Sequence, residues 1–226
     1  MSRIAIFFLV VITLGLALLL SFLGFVTIKS NLLGWFLLIT GLAYFFGVIV
    51  VYWIRGIRFW GPRAKGRIIK EERADWSFWT IVAGMIAAFY LPPLEYLYYK
   101  TIPPQNIWIQ ITGWILILWG SALFIWARRA LGKYYSGHVS VVDGQSLVKS
   151  GPYHFIRHPA YAGYVLLALG ITVGYSSLAG LVVIPVLLIP SVIYRLSVED
   201  KLLAEHFGDQ FREYAKKTAR LIPGVW

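Results

Sequence analysis

The sequence predicts an all-α integral membrane protein with about six membrane-crossing helical segments, the last two a short hairpin, and a C-terminal amphipathic helix. Three observations predict it. Hydrophobic residues make up 59% of the 226 and charged residues only 14%, well off the balance of a soluble domain. Uncharged stretches cover residues 4–28, 30–54, 76–94 and 101–127, each suited to one transmembrane helix of roughly 20 residues. A fifth runs over residues 159–194. As one helix it would be about 54 Å long at roughly 1.5 Å per residue, against a bilayer core of roughly 30 Å.

The first stretch is of spanning length and lacks a convincing small-residue cleavage site, so it is expected to stay as a helix rather than leave as a signal peptide. The second ends at Arg55, where a basic loop begins with Arg55, Arg58, Arg63, Lys65, Arg67, Lys70 and Arg73. The third and fourth follow, and Arg128, Arg129, Lys133, Lys149 and Arg157 close the fourth. With the N-terminus inside, only Lys29 and Lys100 of the 21 Lys and Arg fall on the outer side. This is the positive-inside pattern and sets both termini in the cytoplasm. The net charge of +11 then belongs to membrane lipids rather than to nucleic acid, since basic loops beside a bilayer attract anionic head groups at about 1 kcal/mol per Lys or Arg.

The fifth stretch fits only if it folds back on itself, and Gly174-Tyr175-Ser176-Ser177 offers the turn. The hairpin returns Arg195 to the membrane face of His158. Ahead of it stands Gly151-Pro-Tyr-His-Phe-Ile-Arg-His-Pro-Ala-Tyr-Ala-Gly163, with two histidines, an arginine and two tyrosines. After it, Leu203, Phe207 and Phe211 form an apolar stripe opposite Glu205, Asp209, Arg212, Glu213 and Lys216. That describes a surface-lying amphipathic helix over residues 198–218, broken near Gly208.

Several chemistries are excluded. The chain has no cysteine, hence no disulfide, thiolate nucleophile, iron–sulfur centre or cysteine-ligated zinc. His138, His154, His158 and His206 lack metal-site spacing, and Pro159 stops a regular helix from carrying both His154 and His158. No metal is expected. No Walker-type phosphate loop occurs, and Gly170-x-x-x-Gly174 lies in an apolar helix, where close packing is its use. Gly163 is assigned to packing for the same reason.

From Leu131 onward the chain resembles the isoprenylcysteine carboxyl methyltransferase and phospholipid methyltransferase superfamily of integral membrane enzymes. The matching pieces are Leu131-Gly132, Leu147-Val148-x-x-Gly151-Pro-Tyr153, Arg157-His-Pro-x-Tyr161-x-Gly163, Arg195-x-x-x-Glu199, Phe207-Gly208, Tyr214 and Ile222-Pro223-Gly224. Two positions depart from the pattern. The family often has Glu-Glu after the arginine where this chain has Glu199-Asp200, so a role is carried onto Glu199 only, and Phe211 stands where a tyrosine is common.

The resemblance implies S-adenosylmethionine as methyl donor and a lipophilic or lipid-modified acceptor at the cytoplasmic interface. It divides one integrated domain into residues 1–130, four helices with a basic cytoplasmic loop, and residues 131–226, the cofactor-binding catalytic region. His158 opens a helix whose free amides favour a carboxylate, and Tyr161 adds a hydroxyl. Leu147, Val148 and Tyr153 could wall the adenine, with Gly151 permitting close backbone approach. Glu199 binds the cofactor or accepts a proton. Arg195, an ionisable residue at the end of a very apolar helix, needs a partner or a site, and is assigned to orienting an anionic acceptor. Arg157 is assigned to lipid phosphate.

The acceptor stays open among a prenylcysteine carboxylate, a phospholipid amine, a thiol or another lipophilic nucleophile. The competing class is a membrane reductase holding NADPH against a lipid or sterol-like substrate, since membrane sterol reductases have a related C-terminal arrangement. The larger dinucleotide needs more phosphate-binding groups than this motif offers. A non-enzymatic membrane scaffold or transporter is the third class, disfavoured by polar motifs confined to one face.

Overall fold

The computed structural model describes residues 3–55, 68–72, 76–99, 106–136 and 139–224. Much of the basic loop (Arg58, Arg63, Lys65, Arg67, Arg73), together with Lys100 and His138, lies outside the described residues.

Four long helices come first: α1 (Arg3–Thr27), α2 (Leu33–Arg55), α3 (Trp76–Tyr99) and α4 (Ile107–Leu131). Then α5 (Pro159–Gly174) and a continuous helical run of α6 (Leu178–Val183), a π-helical turn (Ile184–Leu188) and α7 (Ile189–Phe207) form the hairpin, and α8 (Asp209–Lys217) ends the chain. Among the described residues, five helical stretches are long and apolar enough to cross a membrane, and α5 is a shorter apolar helix of 16 residues. At roughly 1.5 Å per residue α5 is about 24 Å long, short of the bilayer core.

The hairpin is therefore unequal rather than two short arms. Its turn falls at Tyr175–Ser177, where Ser176 takes a positive φ of 53°. The return arm runs 30 residues, from Leu178 to Phe207. Pro185 and Pro190 would each remove a backbone donor from a regular helix, and the π-turn around Pro185 widens the coil there instead of breaking it.

α4 and α5 touch along their backbones. A Cβ on Gly113 would lie 2.7 Å from the Gly170 carbonyl oxygen, and one on Gly120 would lie 2.8 Å from that of Gly163. In lipid, where apolar side chains gain nothing by leaving the solvent, such close van der Waals approach between small residues is a principal cause of association. α3 packs on the hairpin through Ile81 and Ala88, which join Ala168, Ile184, Leu188, Val192 and Leu196 in one buried cluster.

The end of the bundle holding the hairpin turn is stitched by polar side chains. Tyr175, fully buried, shares a 2.9 Å hydrogen bond with Thr27, Asn31 donates to the Gly174 carbonyl, and Glu95 accepts from Ser177 and the first amides of α6. A carboxylate at that helix N-terminus satisfies donors that have no partner within the helix. The opposite end carries a feature the hydropathy pattern did not announce, an antiparallel ribbon of β1 (Ile68–Glu72) and β2 (Val139–Val142). Val139 and Val141 of β2 are buried against Val198, Leu202 and Leu203 of α7.

The amphipathic tail begins later than residue 198. α7 continues to Phe207, Gly208 (φ 55°) ends it, and α8 buries Phe211 and Tyr214 while Asp209, Arg212, Glu213 and Lys216 stay exposed.

Candidate functional site

Pro159 sits in the first turn of α5 because its fixed φ suits that position and its missing N–H costs the helix nothing there. His158 is thereby the N-cap residue, and its ring is held at the mouth of the hairpin with 3% of its surface exposed. One turn along α5, Tyr161 accepts a 3.0 Å hydrogen bond from Nε of Arg195. Arg195 descends from α7, is 5% exposed, and lies with Cζ 5.6 Å from the centre of the Phe78 ring on α3. Tyrosine and phenylalanine together hold the guanidinium, the second by cation–π attraction. Glu199 stands one turn further along α7, with Oε1 3.9 Å from Nδ1 of His158 and its side chain 30% exposed.

These residues border one cavity of about 630 Å³. Leu147 and Val148 wall it from the segment before the one-turn helix Gly151–His154, and Tyr153 closes that side. Burial raises the Tyr153 hydroxyl far above its ordinary value, and Glu199, Tyr214 and Tyr135 reinforce the shift, so it stays protonated. The far wall is apolar: Phe78, Ile81, Val82, Met85 and Ile86 of α3, with Tyr44 of α2. One chamber thus has a polar end on α5 and α7 and an oily end on α3.

Of the residues assigned from the sequence to the cofactor or the acceptor, Leu147, Val148, Tyr153, His158, Tyr161, Arg195 and Glu199 border this cavity, and Gly151 does not. Its φ of 63° opens the one-turn helix, and a Cβ there would lie 3.1 Å from Nε1 of Trp126. Glycine is needed at that position for the turn and for α4. Arg157 is tied inward: Nη1 donates to the carbonyls of Ala215 and Thr218 at the end of α8, where a cation offsets the helix dipole. Its Nε is buried with no hydrogen-bond partner among the described residues.

Sequence reasoning gave no role to Asp200, and it is the hub of the polar end. Oδ1 accepts a 2.8 Å hydrogen bond from Nε2 of His158, Oδ2 accepts one of 2.9 Å from Nε of Arg220, and Nη2 of Arg157 lies 3.5 Å away. A carboxylate 8% exposed is costly unless it is paired, and that burial does not show in the charged run Glu199-Asp200-Lys201. The imidazole donates through Nε2 to the carboxylate, which leaves Nδ1 as the ring nitrogen toward Glu199. Among the described residues there is no cluster of His, Cys, Asp and Glu able to hold a metal.

The model of the phospholipid methyltransferase family matches residues 108–210. Protein-S-isoprenylcysteine O-methyltransferase A of Arabidopsis thaliana is 28% identical over 143 residues, 61% of this chain and 73% of that one. The Saccharomyces cerevisiae protein-S-isoprenylcysteine O-methyltransferase is 28% identical over 159 residues, 69% and 64% of the two chains. The uncharacterized protein YpbQ of Bacillus subtilis is 28% identical over 130 residues, 58% and 76%. The matched segment holds nearly all of α4, the hairpin, His158, Tyr161, Arg195 and Glu199 of the cavity, and Asp200 beside them, and over it this chain is similar to the phospholipid and isoprenylcysteine methyltransferases.

Proposed function

We propose that the protein transfers a methyl group from S-adenosylmethionine to a lipophilic acceptor at the cytoplasmic face of a membrane, in the manner of an isoprenylcysteine carboxyl methyltransferase. The observation that carries this is the two-ended cavity, with His158, Tyr161, Arg195 and Glu199 at one end and the α3 wall at the other. About 630 Å³ lies well within the size range of small-molecule sites.

The residues fit the donor's chemistry. Leu147, Val148 and Tyr153 suit the adenine, and Glu199 suits an ammonium or a ribose hydroxyl. His158, Tyr161 and Nε of Arg157, which has no hydrogen-bond partner among the described residues, supply polar contacts. When bound, S-adenosylmethionine supplies an already activated sulfonium methyl. The protein's part is then alignment and exclusion of water. Arg195, fixed between Tyr161 and Phe78, presents a cation where the polar and apolar ends meet, and so suits an anionic acceptor such as a carboxylate. A carboxylate needs no base to become a nucleophile, which leaves Glu199 free to bind. The acceptor's apolar part would lie along Phe78, Val82 and Ile86, which follow one another at helical spacing on α3.

Calorimetry on purified protein separates the classes. S-adenosylmethionine should bind and NADPH should not. Binding of NADPH with no binding of S-adenosylmethionine would replace this function with that of a reductase.

A further inference from the structure

Arg220 belongs to none of the motifs singled out in the sequence and lies beyond the segment matched by the family model, which ends at residue 210. Yet it meets His158 from two directions. Its carbonyl accepts the His158 backbone N–H at 3.1 Å, next to a bond of 2.8 Å from the Arg157 N–H to the Ala219 carbonyl and a parallel bridge between Ile156 and Ala219. Its side-chain Nε donates at 2.9 Å to Oδ2 of Asp200, whose Oδ1 holds the His158 ring at 2.8 Å.

We propose that Arg220 is a positioning residue of the cofactor site: it fixes the backbone of His158 through its carbonyl and the His158 ring through Asp200. This rests on reading the cavity as the methyl-donor site. A carboxylate gripped at one oxygen is free to rotate about its own bond. Gripped at both oxygens, Asp200 has a fixed plane, and the imidazole that bonds to it has a fixed tautomer and a fixed orientation. Nε2 is committed to the carboxylate, so Nδ1 is the ring nitrogen available on the Glu199 side.

Arg157 is a weaker hold on the same carboxylate, because Nη2 stands 3.5 Å from Oδ2 while Nη1 is spent on the carbonyls that end α8. Leu221 anchors the segment by packing on the cluster of Ile81, Leu188 and Leu196. The chain after α8 is thereby a structural part of the pocket, though it follows the hairpin by more than a whole helix.

The test pairs ring spectroscopy with binding. In protein labelled with ¹⁵N-histidine, with the His158 signals assigned by His158→Gln, the wild-type ring should be a single Nε2–H tautomer. Arg220→Ala should give a mixture of tautomers and weaken S-adenosylmethionine binding about tenfold, as loss of a charge-assisted bond supporting a binding residue does. Arg220→Lys, which keeps the charge and the backbone clamp, should recover part of both at an unchanged melting temperature. Wild-type ring signals and wild-type affinity in Arg220→Ala would overturn the proposal. So would a loss that tracks thermal stability and is not eased by Arg220→Lys. Failure of the wild type itself to bind S-adenosylmethionine would overturn the functional reading instead, and the ring signals would still decide the role of Arg220.

Discussion

His158 and Glu199 approach each other at the mouth of the hairpin although 40 residues of sequence separate them, with Nδ1 and Oε1 3.9 Å apart. If they bind the methyl donor, His158→Ala and Glu199→Ala should each weaken S-adenosylmethionine binding by roughly tenfold or more, since each removes a polar contact worth about 1.5–3 kcal/mol to a charged ligand. The proteins should remain folded in detergent. Calorimetry beside a thermal melt checks this, and wild-type affinity in both variants would return the two residues to ordinary interfacial roles. Arg195→Ala should keep donor affinity and lose methyl transfer, and Arg195→Lys should regain only part, because lysine lacks the planar fork and stacks poorly on Phe78. Unchanged transfer in Arg195→Ala would contradict the assignment. At this scale the sequence was legible in which residues gather at one cavity, His158 and Tyr161 from one motif and Arg195 and Glu199 from the other, whereas Arg157, assigned to lipid phosphate, is tied instead to the end of α8. Asp200 was passed over as a departure from the Glu-Glu pattern, and its purpose appears only once Arg220 and His158 are beside it in space.

Among the elements, α4 and α5 depend on absent side chains. Gly113→Leu or Gly120→Leu would drive a side chain into backbone already within 3 Å of where its Cβ must go. Each should destabilise the protein by roughly 1–3 kcal/mol or more, seen as a lower melting temperature in detergent. Unchanged melting would mean that the two helices are not so close. α8 is held differently. Tyr214 donates at 2.6 Å to the Tyr153 carbonyl, and burial, in spite of the Thr218 hydrogen bond and the Arg157 charge, pushes its hydroxyl up to about 12. The raised value means that this contribution is whole below the ordinary value of 10.0 and is lost as pH climbs through about 12. Tyr214→Phe should cost roughly 1–3 kcal/mol at neutral pH, because it leaves a buried carbonyl unpaired. It should also lessen the fall in melting temperature above pH 10. The helices and the Tyr175–Ser177 turn could be anticipated because length alone forbids a single span over residues 159–194. The β1–β2 ribbon could not: Ile68-Ile-Lys-Glu-Glu72 shows no alternating pattern, and its partner strand follows two whole helices later.

For the whole molecule, the two ends of the bundle are chemically unlike. Thr27, Asn31, Glu95 and Tyr175 stitch one, and His158, Glu199 and Asp200 open the other. If the end that holds the cavity faces the cytoplasm, single cysteines at Ser30 and Ser140 should be labelled from outside and inside respectively, in a chain that has no cysteine of its own. Outside labelling at Ser140 would reverse the orientation drawn from the charges. The expected orientation rests on where lysine and arginine fall, a pattern visible in the sequence itself. The cavity cannot, because its apolar wall on α3 faces the polar hairpin only through tertiary packing.

The central claim is that this cavity joins a polar methyl donor to an oily acceptor. Its most direct measurement is transfer of label from methyl-labelled S-adenosylmethionine into the organic phase when purified protein is incubated with a lipid extract supplemented with a prenylcysteine. Label should enter the lipid fraction with the wild type and fall to background with Arg195→Ala, while donor binding persists. Label that never leaves the donor, in a wild-type protein shown to be folded, would contradict the account.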